Sequence, residues 1–193
     1  IFKLNNLKTN LYILNNKKEI DAIATSIKIE KNLSSSLRND FFNNEIISYS
    51  NSLCKVEFIN FIKNQYFLIT GMLIRKQFFN KCGLFDFELK QRQDSDLIYR
   101  MLLCGNIYFN GIEEFKTVYF INNNSITLNL EDSIFYSRMF FRKYFFYSIY
   151  KKLGLNTISH FFRNYIEYDY RFLMKSKFIK IIISIFLVYF VVI

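Results

Sequence analysis

Charge and aromatic content divide this chain near residue 132, and that division constrains its folding more than any single motif. Residues 1–132 carry 16 Lys and Arg against 14 Asp and Glu, whereas residues 133–193 carry 10 against 2. The later stretch also holds 19 of the 38 aromatic residues. A near-neutral segment followed by a basic, aromatic one is expected to form two units, residues 1–130 and 131–193, with different surroundings. The total of 193 residues suits one domain with an appendage and is long enough to bury a core. A hydrophobic content of 51% excludes a disordered chain, and the absence of Pro excludes collagen-like and Pro-rich classes. The richness in Phe, Tyr, Ile, Asn and Lys matches AT-biased coding, so aromatic abundance alone is not a functional signal.

The first part reads as mixed α/β. Leu4, Leu7, Leu11 and Leu14 recur at helical spacing, and Ile20 to Ile29 alternate as a strand does. The polar stretch 32–44 reads as a loop and Leu53 to Asn64 as a helix. Phe67 to Ile74 reads as a buried strand opened by Gly71. Arg75 to Lys81 suits a short helix stopped by Gly83, and Asp94 to Cys104 suits another, with Gly105 just past its end. Val118 and Phe120 suggest a closing strand before the Asn122-Asn123-Asn124 turn.

The second part reads as helices. Glu131 and Asp132 stand where a helix dipole favours acids. Lys151-Lys152-Leu153-Gly154 reads as a helix end, a second helix follows over Thr157 to Met174, and a third begins near Lys175. Ile181 to Ile193 is uncharged and shorter than the roughly 20 residues a membrane span needs. With Lys175, Lys177 and Lys180 before it, this run is expected to meet a lipid headgroup surface, the alternative being a buried terminal helix.

Cys54, Cys82 and Cys104 lack metal-binding spacing and are expected to be buried, reduced thiols. His160, the single histidine, has no Cys or carboxylate cluster beside it and reads as structural.

The stretch that carries chemistry runs from Thr70 to Gly105. It contains Thr70-Gly71-Met72-Leu73-Ile74-Arg75-Lys76, Gly83-Leu84-Phe85-Asp86, then Gln93-Asp94-Ser95-Asp96-Leu97 with Arg100 and Gly105. Asp94 and Asp96 are two apart, so on a helix they point about 200° apart and do not form an acid/base couple on one face. Asp96 and Arg100 stand four apart and can pair. By spacing alone, Asp94 reads as a helix cap rather than a catalytic group.

In order and spacing this stretch resembles the second half of the family-2 inverting glycosyltransferases of GT-A fold. Their pattern runs from a small residue and Gly, through Gly-x-Phe-Asp, to Glu/Gln-Asp-x-Asp-Leu-x-x-Arg and Gly. The likeness extends over residues 1–130, with Val118 to Thr127 resembling the closing strand and turn. It implies a partial GT-A lobe followed by a basic aromatic helical tail. Asp94 matches the catalytic base, which takes the proton of an acceptor hydroxyl as its oxygen attacks the anomeric carbon. Thr70, Gly71, Gln93 and Asp96 match the substrate-binding positions. By the same resemblance, Asp94 is expected at a helix start facing a cleft, close to the Thr70–Gly71 turn.

The resemblance further implies a nucleotide-sugar donor, a cell-surface glycan or lipid-linked acceptor, and a divalent metal, Mg or Mn. It places the activity at the cytoplasmic face of a membrane, with the chain peripheral or anchored through its C-terminal part. Two departures bear on this. The family's Asp-x-Asp metal and nucleotide motif is missing; its place would fall before Ile1, so the chain is expected to be an acceptor-side part that transfers no sugar alone. Asn122 stands where His is common, which weakens the expectation of metal use. The competing readings are an inactive remnant and a non-catalytic basic module that binds membrane or nucleic acid. No RNA-binding aromatic signature is present, so nucleic acid is not expected as a partner.

Overall fold

A computed structural model describes residues 4–32, 46–47, 52–65, 67–111, 117–122 and 129–175. Its centre is the run expected as a strand. Strand β1 (Ala22–Thr25) is buried along its whole length, as a strand covered on both faces must be. It pairs in parallel with β6 (Ile107–Asn110) and antiparallel with β5 (Met72–Ile74); β4 (Leu53–Lys55) lies antiparallel on the far side of β6. The resulting four-stranded sheet has the order β4-β6-β1-β5. After Ser26 the chain continues as β2 (Ile27–Asn32). This strand joins a second sheet between β3 (Ile46–Ile47), antiparallel, and β7 (Thr117–Asn122), parallel. The fold is therefore mixed α/β.

Helix α1 (Leu4–Asn16) packs on β1 and β5, and Leu14 meets Ile20 and Ile23 in the core. The leucine spacing did not define its buried face alone, because Leu11 is exposed and Asn10 is buried. Asn110 Nδ2 donates to Asn10 Oδ1 at 2.7 Å, so a satisfied amide pair occupies that position.

Two expected elements differ. The stretch 53–64 splits into β4 and the short helix α2 (Phe58–Asn64), because Leu53 to Lys55 pair with the outer edge of β6. The run 67–74 is not one strand. Phe67 leaves it to stack near Phe61 and Phe109, with ring centroids at 4.4 and 6.3 Å. Ile69–Gly71 then form a 3-10 turn before β5. Strand β6 is an element the sequence reading did not propose. The polar stretch 33–44, the turn beyond Asn122 and the run 176–193 lie outside the described residues.

The chain from Lys76 to Cys82 forms a 3-10 turn and helix α3 (Phe79–Cys82), which stops at Gly83 with φ 76°. Helix α4 (Gln93–Cys104) follows. Gly105 serves space rather than a left-handed turn. A Cβ there would stand 2.5 Å from Asp21 Oδ2 and 2.6 Å from the Phe78 ring. Of the cysteines only Cys82 is buried, and burial pushes its thiol pKa up; Cys54 is half-buried and Cys104 exposed, against the expectation for all three.

The described residues divide into two compact units, one within 1–88 and 93–128, the other within 89–92 and 129–193. The second is an antiparallel hairpin of α5 (Leu130–Tyr150) and α6 (Leu155–Lys175). Asn129 caps α5, its side-chain oxygen accepting from the Glu131 and Asp132 amides at 3.1 and 3.3 Å. Rings pair between the helices. Phe141 stacks on Tyr168 at 5.3 Å and Tyr144 on Phe161 at 5.5 Å. At the connection Lys152, not Gly154, takes the helix-ending left-handed position, with φ 52°. Leu153 N donates to Ser148 O at 3.0 Å and Lys152 N to Ile149 O at 3.1 Å, the paired bonds of a Schellman end. Residues 89–92 belong to this unit. Arg92 donates to Ser137 Oγ at 3.0 Å and Tyr168 Oη at 3.3 Å, with its guanidinium 5.8 Å from the Phe141 ring centre. Among the described residues no helix is long and apolar enough to cross a membrane.

Candidate active site

The two carboxylates of Gln93-Asp94-Ser95-Asp96 both lie in the first turn of α4, and their surroundings separate them. Asp96 is fully buried. Its Oδ2 accepts from Arg100 Nε at 2.8 Å, one helical turn on. The same guanidinium donates to Leu84 O at 2.7 Å and to Cys82 O. Arg100 thus fastens the Gly83-Leu84 turn to α4. The start of the Gly-x-Phe-Asp segment and the Asp-x-x-x-Arg spacing belong to one structural clasp.

Asp94 is exposed. It stands one residue inside the helix, so it is not the flanking residue that usually caps. Enough protein surrounds its carboxyl to push the pKa above the usual aspartate value, and no charge or hydrogen bond contributes to the shift. A carboxylate perturbed by desolvation alone holds its proton more tightly than a free one and has no partner to neutralise it. Gln93, beside it, is half-buried.

Thr70 and Gly71 lie in the 3-10 turn that packs against α4. Thr70 is exposed and Gly71 buried. Gly71 O accepts from Thr25 Oγ1 at 3.0 Å, and a Cβ at Gly71 would meet Ile27 Cδ1 at 3.2 Å and Thr25 O at 3.3 Å. The glycine is accounted for by close packing on the β1–β2 junction. Asn122 is the last residue of β7. Among the described residues no three His, Cys, Asp or Glu side chains converge as a metal site requires. Among the described residues the divalent metal implied by the resemblance therefore has no ligand set.

The structure therefore leaves Asp94 and Thr70 solvent-accessible and gives Gly71 and Asp96 packing and pairing duties. The Asn10–Asn110 pair and the Arg92 anchor had no signature in the sequence, because each joins residues far apart in the chain. No family model, curated protein or solved structure matches the chain.

Proposed function

We propose that the first unit is the acceptor-side part of an inverting glycosyltransferase of family-2 type with a GT-A-like lobe, and that Asp94 is its general base. The observation that carries this is the contrast between the two carboxylates. Asp96 is committed to Arg100, whereas Asp94 opens the same helix with no partner among the described residues and a raised pKa. A base is more effective as its pKa rises towards the working pH, provided that it stays ionised. The mixed sheet is consistent with the reading. Strand β5 runs antiparallel and β6 parallel to β1, and α4 leads into β6.

In this reading Asp94 accepts the proton of an acceptor hydroxyl while that oxygen forms a bond to the anomeric carbon. The bond from that carbon to the nucleotide diphosphate breaks, its electron pair leaves with the diphosphate, and the configuration inverts. Thr70 and Gln93 border the place where the sugar hydroxyls are held. Groups outside the described residues bind the diphosphate and any divalent metal. The acceptor is a glycan or lipid-linked saccharide at the cytoplasmic face of a membrane, to which the basic helical unit attaches.

The test is transfer from labelled UDP- and GDP-sugars in membranes from cells expressing a complete enzyme that contains these residues. There Asp94→Asn is expected to lower turnover by about 10²–10⁴-fold, the usual contribution of a general base. Turnover within a few-fold of wild type removes Asp94 from that role. The chain by itself is expected to bind these donors weakly and to transfer nothing. Micromolar binding in a calorimetric titration with Mg²⁺ or Mn²⁺, together with transfer, overturns the assignment of Asp94-Ser95-Asp96.

A further inference from the structure

We propose that the closed end of the α5–α6 hairpin, from Arg142 to Arg163, is a docking surface for an anionic lipid bilayer. This deepens the membrane half of the reading above and stands without the sugar-transfer half.

Charge is sorted along the hairpin. All four acids of residues 129–175, namely Glu131, Asp132, Glu167 and Asp169, lie towards its open end. There Asp169 pairs with Arg138 at 2.5 Å and Glu167 pairs with Arg171. From Met139 to Arg163, around the closed end, there are five cations and no acid. The cations are Arg142, Lys143, Lys151, Lys152 and Arg163, all exposed.

Apolar groups project among them. Tyr150 is 77% exposed and Leu155 84%, one on each side of the connection. Phe146 and Ile149 are exposed on the last turns of α5 and Phe162 on α6. Phe145 joins the two helices' exposed faces, its ring centre 5.2 Å from both Phe146 and Phe162. Large side chains at a helix connection with cations beside them suit a bilayer. The apolar groups enter the acyl boundary while the lysines and arginines stay at the headgroups.

The same features disfavour other occupants. A second copy brings the same five cations and repels. The chain's own residues 176–193 bring Lys177 and Lys180 and no acid. Nucleic acid answers the charge but leaves aliphatic Ile149 and Leu155 in water.

The chain contains no Trp, so one introduced indole reports its own surroundings. The 193-residue chain carrying Tyr150→Trp or Tyr170→Trp is mixed with vesicles of phosphatidylcholine, with or without phosphatidylglycerol, and with brominated acyl chains as quenchers. Tyr170 is exposed on α6 towards the open end. The expected result is a blue shift and quenching at position 150, only on phosphatidylglycerol-containing vesicles, and none at position 170. Lys151→Gln with Lys152→Gln is expected to weaken partitioning roughly 25-fold, at roughly fivefold per cation, while circular dichroism stays unchanged. Added salt should weaken binding further.

Quenching at 170 but not 150 overturns this proposal and leaves a membrane contact elsewhere in the chain. Quenching at neither position overturns this proposal, and a chain that also fails to co-sediment with the vesicles overturns the membrane half of the functional reading. A double variant that binds within twofold of wild type, or an oligonucleotide that displaces the vesicles, also overturns it.

Discussion

Removing the Arg100 guanidinium should destabilise the first unit more than any change at the proposed base. Arg100→Ala deletes three contacts at once: the pair with Asp96, and the donations to the Cys82 and Leu84 carbonyls. Asp96 is fully buried, so its carboxylate then lacks its cation. Breaking a buried pair from one side costs about 3–5 kcal/mol. Domains are stable by only about 5–15 kcal/mol, so a large share is lost. Asp96→Asn should cost less, because the part-exposed Arg100 keeps its two carbonyl acceptors. Arg100→Lys keeps a charge near Asp96 but cannot fork to both carbonyls, and should cost about 1–2 kcal/mol.

Asp94→Asn should behave oppositely. Partial desolvation by the surrounding protein raises the folded-state pKa of Asp94 above its unfolded value. The ionised form is therefore the less stable one in the folded state. Its contribution to stability is fully present below the unfolded-state pKa, which is near 4. That contribution falls as pH rises through the folded-state value. At neutral pH Asp94→Asn should leave stability unchanged or slightly raise it, and the variant should lose that part of the pH dependence. Urea unfolding followed by near-ultraviolet circular dichroism at several pH values compares all four variants with wild type. If Arg100→Ala unfolds within about 1 kcal/mol of wild type, well below the loss expected for a broken buried pair, or if Asp94→Asn is the more damaging change, the division of labour between the two aspartates is wrong.

Three further outcomes follow from local geometry. Lys152→Gly should stabilise the hairpin by about 1 kcal/mol, because a left-handed position strains any residue with a Cβ; a thermal melt showing no increase refutes this. Gly105→Ala should cost about 1–3 kcal/mol, since the added methyl meets Asp21 and the Phe78 ring inside contact distance; an unchanged urea midpoint refutes it. Thr117→Val should be neutral or stabilising by up to about 1 kcal/mol, because the buried Thr117 Oγ1 has no hydrogen-bond partner among the described residues; a loss beyond that would reveal a partner for the hydroxyl.

Elements governed by local chemistry were readable in the sequence. Helix α4, the Gly83 stop and the α5–α6 hairpin each announce themselves within a few residues through apolar period, glycine or acids at a helix start. Elements governed by pairing were not. Leu53 to Lys55 become a strand only because β6 offers an edge, and β6, though bracketed by Gly105 and Gly111, is four residues long and defined by its pairing with β1 and β4. Gly154 looked like the residue that ends α5. The two Schellman bonds instead fall on Lys152, and the conformation is set by hydrogen bonding rather than by residue preference.

The candidate site shows the same limit more sharply. Asp94 and Asp96 are the same residue type, two positions apart, in one turn of one helix. Helical geometry says only that they point in different directions. Which of them faces the interior depends on where Arg100 reaches, and Arg100 reaches there because Gly83, with its left-handed φ, turns the Cys82 and Leu84 carbonyls towards the helix. A spacing of four made an Asp96–Arg100 pair plausible, but not its burial or its grip on the preceding turn. Once that grip consumes Asp96, Asp94 is the carboxylate of the helix's first turn that has no partner among the described residues, and the proposed general base joins this contrast to the family resemblance.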